Sequence, residues 1–468
     1  MDGDRIRGGR LDQCGYAVAF SDAHPALTPT QARVEAERCY YCYDAPCIEA
    51  CPTGIDIPGF IARIADGNLR GSAETILRSN IFGGSCARVC PTEILCEQAC
   101  VRTAQENKPV VIGALQRHAT DWQMRTGSQP FRRAPTTGRR VAVVGAGPAG
   151  LACAHRLAMH GHEVVVFEAK AKGGGLNEYG IAAYKLPDEF AQRELEFILG
   201  VGGIEVRHGQ KLGEQVTLAA LRAEYDAVFL GVGQGAVRAL SLPAAGASAA
   251  GDAASLAGVL DAVDFIRALR QAEDKATVPV GDRVVVIGGG NTAVDAAMQA
   301  KRLGAAEVTI AYRRGPEHMS ATGFEQDWAR TSNIRIRYWS VPIALHGADG
   351  TVTGIEFETA GGARELEPAD MVLKAVGQLF DPEPFGEILA ISGGRIAVDS
   401  EGRTSLPMVY AGGDCTAGND LTVVAVAEGR DAAEAIHRAL TNAPATLPAD
   451  ATTAAPRPVR GMEKMANG

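Results

Sequence analysis

The sequence has few aromatic residues and no long apolar run, and these absences exclude several classes of protein. Only 6% of its 468 residues are aromatic, and no stretch of 18 consecutive apolar residues occurs. The first ten residues also lack an apolar segment, so neither a transmembrane helix nor a secretory signal is expected. A net charge of −9 argues against nucleic acid and anionic membranes as principal partners. We therefore expect a cytoplasmic protein.

The eleven cysteines are concentrated in one segment, with eight of them between residues 39 and 100. A cytoplasmic chain of this length rarely depends on disulfides, which serve small secreted domains without a sufficient core. Zinc sites usually pair two Cys-x2-Cys knuckles, whereas this sequence has one, at Cys39 and Cys42. Iron–sulfur clusters are the favoured interpretation, and zinc is the main alternative.

The cysteines form two groups, one in residues 39–52 and one in residues 86–100, and proline follows the last cysteine of the first group. In two-cluster ferredoxins, three close cysteines hold one [4Fe–4S] cluster and the fourth, before a proline, holds the other. This rule assigns to the first cluster Cys39, Cys42, Cys47 and Cys100. It assigns to the second cluster Cys51, Cys90 and Cys96. Spacing nominates Cys86 as the missing ligand, unless Cys86 is a small buried core residue.

A predicted strand runs directly into the glycine turn "VAVVGAGPAG", which contains Gly145, Gly147 and Gly150. Such a turn lets backbone amides approach a pyrophosphate at a helix N-terminus. Glu168 ends the next predicted strand, where an acid binds the ribose hydroxyls. Residues 409–418, "VYAGGDCTAG", are typical of the segment that closes over a flavin, with Asp414 as a hydrogen-bonding group. The sequence thus predicts a discontinuous FAD-binding domain.

A second turn of the same kind, with Gly288, Gly290 and Ala293, predicts a nicotinamide site. The strand that should end in an acid is followed instead by Arg313 and Arg314. Arginine at this place often holds the 2′-phosphate of NADP, although the pair could also lie over the adenine or in solvent.

These patterns predict an α/β fold with an N-terminal all-α iron–sulfur domain and two Rossmann-like dinucleotide-binding domains. Residues 1–138 would form the helical domain with a linker. Residues 139–240 and 386–445 would bind FAD, and residues 241–385 would bind NAD(P). Residues 446–468, rich in Ala, Pro and Thr, predict a disordered tail.

The segments "RCYYCYDAPCIEACPTGIDIPGFI", "CARVCPTEILCEQAC" and "GGLNEYGIAAYKLP" together resemble the N-terminal half of dihydropyrimidine dehydrogenase. The resemblance extends from about residue 30 to about residue 440. It implies the separate flavin subunit of a two-subunit bacterial enzyme, which would pass electrons from NADH to an FMN- and iron–sulfur-containing partner that reduces the pyrimidine. Small subunits of glutamate synthase and transhydrogenase subunits are similar alternatives. A redox sensor or scaffold that holds iron–sulfur clusters without turnover is the non-enzymatic alternative.

The resemblance also implies individual contacts. It places the fourth ligand of the second cluster at Gln116, within "LQR", where the glutamate synthase relatives have "LER". The implied FAD contacts are Gly145, Ala146, Gly147, Pro148, Ala149, Glu168, Gly175, Leu176, Lys185, Leu212, Gly413, Asp414 and Thr422. The implied nicotinamide contacts are Gly289, Gly290, Asn291, Thr292, Arg313, Arg314, Ala375, Val376 and Gly377. No catalytic residue is expected, because hydride transfer to a flavin requires no general acid.

One departure from the family bears on the choice of nicotinamide. Relatives that use NADPH carry a further arginine seven positions after the first arginine of the pair, and here that position is Ser320. The segment around it carries the acids Glu317, Glu325 and Asp327. Losing a cation and adding acids disfavours the 2′-phosphate, so NADH is expected in preference to NADPH.

Overall fold

A computed structural model describes residues 9–240, 242–245 and 256–441. The described chain divides into two compact units. Apart from those gaps, the first unit contains residues 9–23, 179–187 and 236–379, and the second contains residues 24–178, 188–235 and 380–441. The cysteine-rich helices and most of the predicted FAD contacts therefore belong to one unit.

The helices within the described ranges are mostly short before residue 110 and longer after it. The first eight are α1 (Gln13–Ala19), α2 (Pro29–Ala36), α3 (Pro46–Glu49), α4 (Ile57–Ala65), α5 (Leu69–Ser79), α6 (Gly83–Val89), α7 (Val101–Glu106) and α8 (Ile112–Thr126). The others are α9 (Pro148–Met159), α10 (Leu176–Tyr179), α11 (Phe190–Leu199), α12 (Leu218–Glu224), α13 (Ala262–Gln271), α14 (Asn291–Leu303), α15 (Gly323–Thr331) and α16 (Thr422–Thr441). Short 3-10 turns lie at Thr92–Ile94, Lys275–Thr277, Pro316–His318 and Glu383–Ile388.

The strands begin after residue 139. The first nine are β1 (Arg140–Val144), β2 (Glu163–Glu168), β3 (Ile204–His208), β4 (Ala227–Leu230), β5 (Ala236–Val237), β6 (Ala244–Ala245), β7 (Val259–Asp261), β8 (Arg283–Ile287) and β9 (Glu307–Ala311). The others are β10 (Arg335–Arg337), β11 (Ser340–Ala348), β12 (Thr351–Thr359), β13 (Arg364–Pro368), β14 (Met371–Lys374), β15 (Gln378–Leu379), β16 (Ile391–Ser392), β17 (Arg395–Ile396) and β18 (Val409–Ala411).

Helix α4 shows how the sequence sets the packing of the helical part. Its apolar residues Ile57, Phe60, Ile61 and Ile64 recur at helical spacing, and all four are buried. Asp56 caps the helix by accepting a hydrogen bond from a backbone amide of the first turn. Burying each of these side chains stabilises the fold by about 1.5–3 kcal/mol, which fixes α4 against α5 and α8.

The second unit also contains a five-stranded parallel sheet in the order β18-β4-β1-β2-β3. Strands β1 and β4 are apolar and almost wholly buried, as a parallel sheet covered on both faces requires. Strand β18 joins β4 although about 180 residues separate the two strands in sequence, most of which belong to the first unit. The predicted discontinuous α/β domain is therefore confirmed.

The first unit is built on a second parallel sheet, in the order β10-β9-β8-β14-β7. A four-stranded sheet, β13-β12-β11-β6, and a β15-β5 pair complete it. The N-terminal segment is tied to this unit, since the Tyr16 hydroxyl donates to the Leu303 carbonyl at 2.8 Å and Arg302 donates to the Ala19 carbonyl at 2.6 Å. This attachment differs from the expected helical domain of residues 1–138.

The two units do not follow the predicted domain boundaries in every place. Residues up to 23 belong to the first unit instead of grouping with the cysteine helices. Residues 179–187, predicted to lie in the FAD-binding domain, also belong to the first unit. The chain passes from the second unit to the first between residues 235 and 236, and it returns between residues 379 and 380. The predicted boundaries were 240/241 and 385/386. The predicted disordered tail, 446–468, lies outside the described residues. Among the described helices, none is both long and apolar enough to cross a membrane.

Candidate functional site: two cysteine groups and two glycine turns

Four cysteines of the second unit line one cavity. They are Cys39, Cys42, Cys47 and Cys100. The first three come from the loop before and into α3, while the fourth is the residue that caps α7. Apolar side chains, including Ile57, Ile61 and Ile112, form much of the remaining wall. The structure thus brings together the residues predicted to hold the first cluster, including the one that comes from the distant group.

The electrostatics of this cavity fit a cationic iron–sulfur core. Burial, followed by the charges of Cys39 and Cys100, raises the pKa of Cys47 to about 12. The thiols are therefore close enough to oppose one another's ionisation. Iron ligation requires thiolates, and bound iron would supply the positive charge that stabilises them.

The second group meets beside helix α6. A hydrogen bond between Cys90 and Cys86, then burial and the charges of Cys86, Cys51 and Cys96, raise the pKa of Cys90. Cys51, Cys90 and Cys96 therefore share one neighbourhood, as the spacing predicted. Cys86 is buried on α6, and Gln116 on α8 donates from Nε2 to the carbonyl of Gly83 at 2.7 Å. Both candidates for the fourth ligand approach the first turn of α6.

A buried carboxylate holds that same turn. Glu194 on α11 is fully buried and accepts hydrogen bonds from the backbone amides of Gly84 and Ser85, at 2.9 and 3.0 Å, and from the Ser85 hydroxyl. Burial raises the pKa of Glu194 to about 7, although these hydrogen bonds and Arg88 oppose the shift. Glu194 attaches α11, in the predicted FAD-binding part, to the helix that carries Cys86.

The first glycine turn connects β1 to α9. Gly145 has φ of +98°, and a Cβ there would lie 2.4 Å from the Gly231 carbonyl oxygen, so only glycine fits. Glu168, at the end of β2, accepts hydrogen bonds from the Ala146 and Lys170 amides at 2.8 Å. The carboxylate predicted to bind ribose thus braces the turn. Pro148 and Ala149 open α9 and present its N-terminus to the same turn.

Other predicted FAD contacts lie beside this turn. A Cβ on Gly175 would lie 2.8 Å from Gly147, and one on Gly413 would lie 2.9 Å from the Ala149 side chain. Thr422 opens α16 and donates to the Asn177 side-chain oxygen at 3.1 Å. Leu176 begins α10 and is partly exposed, whereas Leu212 is buried in the core.

Two polar groups in this region are poised for a polar ligand. Asn177 is 1% exposed, and within the described residues its Nδ2 has no hydrogen-bond partner, which is costly for a buried donor. Burial, and then Asp420, raise the pKa of Asp414 to about 6, while Arg395 opposes the shift. The residues around the turn therefore fit a bound dinucleotide. The sequence analysis missed Asn177, whose unsatisfied amide becomes visible only in the packed structure.

The second glycine turn connects β8 to α14 in the first unit. A Cβ on Gly288 would lie 2.2 Å from the Ala375 carbonyl oxygen, so the loop of residues 375–377 closes directly on the turn. A Cβ on Gly289 would meet the Tyr312 ring, and Gly290 caps α14. Asn291 and Thr292 open that helix. The residues predicted to bind the nicotinamide cofactor are thus adjacent.

The residues expected to decide between NADH and NADPH lie at the edge of this turn. Arg313 is exposed and Arg314 is partly buried, both directly after β9. The Ser320 hydroxyl donates to the Gly289 carbonyl at 3.4 Å, which places position 320 beside the turn. Glu317 pairs with His318 at 2.7 Å nearby in sequence.

Lys185 occupies a different environment from the other predicted FAD contacts. It belongs to the first unit, where its ammonium lies 2.7 Å from Asp295 and 2.5 Å from Glu325. Burial lowers the pKa of Lys185, but the two carboxylates prevail and raise it. Its contact with FAD stays a prediction, since the described structure already pairs its charge with two acids.

Two of the three cysteines outside the groups lie in the second unit, and they do not supply a redox dithiol. Cys153 is buried in α9, and Cys415 is buried beside the flavin-type turn with no disulfide partner in the described structure. Burial raises the pKa of Cys415 to about 12, which keeps its thiol protonated and unreactive. A thiol relay next to the flavin is therefore disfavoured.

Comparison with known families agrees with this arrangement. Residues 17–128 match the family described as dihydropyrimidine dehydrogenase domain II, 4Fe-4S cluster, and residues 139–429 match the family described as pyridine nucleotide-disulphide oxidoreductase. The chain belongs to the pyridine nucleotide-disulphide oxidoreductase family. It is therefore an NAD(P)H-dependent flavoprotein oxidoreductase, and its N-terminal helices form a 4Fe-4S domain.

Two curated relatives within this family differ in their described activities. The chain is 35% identical over 419 residues to the NAD-dependent dihydropyrimidine dehydrogenase subunit PreT of Salmonella typhimurium, covering 90% of this chain and 97% of that one. It is 33% identical over 450 residues to the glutamate synthase [NADPH] small chain of Escherichia coli, covering 90% and 93%. The resemblance to dihydropyrimidine dehydrogenase is confirmed, and the chain is also similar to a glutamate synthase small chain, one of the alternatives named from the sequence.

Solved structures support the α/β part of the fold. Thioredoxin reductase of T. acidophilum has a TM-score of 0.52 at 23% identity, covering 64% of this chain and 99% of that one. FprA of Mycobacterium tuberculosis in complex with NADPH has a TM-score of 0.52 at 21% identity, covering 66% and 85%. At these identities the likeness concerns the fold alone, and it confirms the predicted Rossmann-like class.

Proposed function

We propose that this chain is the electron-input subunit of an NAD-dependent dihydropyrimidine dehydrogenase. It takes electrons from NADH and passes them, by way of FAD and two [4Fe–4S] clusters, to an FMN-containing partner subunit. The partner reduces uracil or thymine, so that uracil, NADH and a proton give 5,6-dihydrouracil and NAD⁺. The relative from Salmonella typhimurium, itself described as a subunit of such an enzyme, supports this assignment and the hetero-oligomer.

The residues of the chain hold and position the redox groups. When bound, FAD accepts electrons in pairs and releases them singly, which a nicotinamide cannot do. The turn at Gly145 and the N-terminus of α9 receive its pyrophosphate, and Asn177 and Asp414 supply polar contacts. The turn at Gly290 and the N-terminus of α14 receive the nicotinamide cofactor. No side chain needs to donate or remove a proton in the hydride step.

The observation that carries the pyrimidine assignment is the amide at position 116. Gln116 is buried, and its Nε2 donates to the Gly83 carbonyl in the first turn of α6, so the amide oxygen is the atom that would bind iron. The similar glutamate synthase subunits would place a carboxylate there. An amide ligand leaves less negative charge on the cluster than a carboxylate, which changes the potential at which the cluster accepts an electron.

Two separate groups of four ligands favour two clusters over zinc. The four thiols of the first group surround a shared cavity. Ligands spread around a cavity suit a multi-iron cluster better than the close tetrahedron of a zinc site.

The preference for NADH is supported by position 320. Ser320 lies beside the glycine turn, and its short neutral side chain offers no charge to a 2′-phosphate. Arg313 and Arg314 remain as cations after β9. Without a third cation at position 320, and with the acidic Glu317 close in sequence, Arg313 and Arg314 do not bind the 2′-phosphate strongly enough to favour NADPH over NADH.

Replacing Ser320 with arginine is expected to shift the ratio of kcat/KM for NADPH over NADH upward by about tenfold or more. A charge-assisted hydrogen bond to phosphate contributes about 1.5–3 kcal/mol, and NADH has no phosphate there. The measurement is flavin reduction by each nucleotide in stopped flow. Ser320→Gln, which adds length without charge, is the control. An unchanged ratio in Ser320→Arg would mean that position 320 does not face the ribose.

The second candidate is a glutamate synthase small subunit, favoured by the 33% identity to the Escherichia coli small chain over almost its whole length. Both candidates share the NAD(P)H-to-cluster half of the reaction. They differ in the partner that receives the electrons and in the substrate that the partner reduces.

The deciding experiment combines the purified holoprotein with the separately purified FMN-containing partner subunit. NADH oxidation that depends on uracil, with 5,6-dihydrouracil identified by mass spectrometry, is the expected result. The control supplies glutamine and 2-oxoglutarate with a glutamate synthase large subunit. Glutamate formation in the control without uracil reduction would replace the proposal with the second candidate.

A further inference from the structure

Three exposed tyrosines lie on the loop that carries the first cysteines. Tyr40 is 53% exposed, Tyr41 is 44% exposed and Tyr43 is fully exposed. They flank Cys42, one of the thiols that line the cavity. Among the ten tyrosines of the chain, the others are buried or partly buried in the described structure. We name residues 40–43 the tyrosine loop.

This loop is held in a fixed conformation by contacts of Tyr40 and Tyr41. The Arg102 guanidinium stacks over the Tyr40 ring at 4.0 Å and its Nε donates to the Arg38 carbonyl at 2.5 Å. Tyr41 has φ of +51°, a left-handed conformation that is uncommon for a side chain of this size, and its hydroxyl donates to the Ala36 carbonyl at 3.3 Å. A strained, anchored and exposed aromatic loop indicates a binding surface.

The net charge around the loop is negative, although two arginines lie beside it, because Arg38 and Arg102 are paired with Glu35 and Glu106. Between Cys39 and Ala62 the chain has three acidic residues, Asp44, Glu49 and Asp56, and no lysine or arginine. All three acids are exposed. The thiolates of a bound cluster would add negative charge next to them. A partner surface that meets this loop should therefore carry basic residues around an apolar centre.

The loop adjoins the first cysteine group, whereas the second group adjoins the flavin-binding part. Helix α6 contacts α11 through Glu194, and Arg430 on α16 donates to the carbonyls of Thr53 and Ser79 at 2.7 and 2.8 Å. Every residue that lines the cavity of the first group lies between 39 and 112. The first group is thus the one that borders exposed surface suited to another protein.

We propose that the tyrosine loop is the docking surface for the electron-accepting partner subunit, which would present a basic rim around its own redox centre. This inference rests on the proposed function and adds the place of contact and the charge of the partner's surface. No bond forms or breaks at the contact, since one electron leaves the chain and one enters the acceptor. Tyrosines serve such a surface because they bury a large rigid area at low entropic cost.

The test uses the holoprotein with Tyr43→Ser and with the double variant Tyr41→Asn/Tyr43→Ser. Asparagine tolerates the left-handed backbone at position 41. Val18→Ser, at a position that is 75% exposed in the first unit, is the matched control. Two measurements report whether each variant is intact. The first is its iron and flavin content, and the second is its NADH-dependent reduction of ferricyanide, a small acceptor that needs no docking surface.

The expected result is a Kd for the FMN-containing partner that rises about tenfold or more in the double variant, with ferricyanide reduction within twofold of wild type. Asp44→Lys should also weaken binding, more at low than at high ionic strength. A double variant that keeps the wild-type Kd would overturn the proposal, as would tighter binding of Asp44→Lys.

Binding of the wild-type chain to the partner without uracil turnover would contradict the proposed function. The Kd values of the variants would still decide whether the tyrosine loop is the docking surface.

Discussion

Replacing Cys100 with alanine is expected to remove about half of the iron, leaving about four of about eight irons per chain. Cys100 follows Cys47 by 53 residues, yet it lines the cavity with Cys39, Cys42 and Cys47. Three thiolates do not retain a complete [4Fe–4S] cluster, whereas the second group keeps its ligands. Iron and acid-labile sulfide measured on anaerobically purified protein check the prediction.

Cys14→Ala is the control for this experiment, because Cys14 is exposed and belongs to the first unit. It should leave the iron content unchanged. If Cys100→Ala retained all of its iron, the exchange of ligands between the two groups would be wrong. Loss of all iron would instead show that the two clusters assemble together.

The same assay separates the two candidates for the fourth ligand of the second cluster. Gln116→Ala should lose about four irons and Cys86→Ala should lose none. The structure leaves both near the first turn of α6, through the Gln116 bond to Gly83 and the contact between Cys86 and Cys90. The opposite result would make Cys86 the ligand and weaken the pyrimidine assignment, which depends on Gln116.

We expect Glu194 to make a large contribution to the pH dependence of the free energy of unfolding. Burial raises its pKa from 4.5 to about 7, which corresponds to about 3 kcal/mol at 1.36 kcal/mol per pKa unit. The folded protein binds this proton more tightly than the unfolded chain. The stabilisation is therefore fully present below about pH 4.5 and is lost as the pH rises to about 7 and above.

Glu194→Gln removes this titration, so the stability of wild type relative to Glu194→Gln should fall by about 3 kcal/mol between pH about 4.5 and pH about 8. Difference infrared spectroscopy gives an independent readout. The carbonyl band of a protonated carboxylic acid should disappear with a midpoint near pH 7 in wild type and be absent in Glu194→Gln. Glu196→Gln, at an exposed position of the same helix, is the control. A band that persists in Glu194→Gln would assign the proton elsewhere.

Local patterns predicted the elements that hold the dinucleotides. The strand–turn–helix units β1-α9-β2 and β8-α14-β9 lie where their apolar runs and glycines placed them, because each pattern is contained within about 30 residues. The two cysteine groups were predictable for the same reason. Even the return of Cys100 to the first group followed from a spacing rule, although the structure was needed to place it in the cavity.

Contacts between distant segments were not predictable from one sequence. Glu194 reads as an ordinary charged residue of an amphipathic helix, and its bonds to Gly84 and Ser85 span 110 residues. Lys185 follows a family motif for FAD, yet Asp295 and Glu325 are its partners in the structure. Such pairings depend on tertiary packing, which neither periodicity nor spacing encodes.

A two-cluster flavoprotein that draws its electrons from NADH has a defined cofactor content and a defined preference for its reductant. The chain is purified anaerobically, its iron, sulfide and flavin are counted, and bleaching of the flavin by NADH and by NADPH is followed. We expect about eight irons and about one FAD per chain, and we expect NADH to bleach the flavin faster than NADPH. About four irons or fewer in undamaged protein, or bleaching by NADPH alone, would contradict a two-cluster subunit that draws its electrons from NADH.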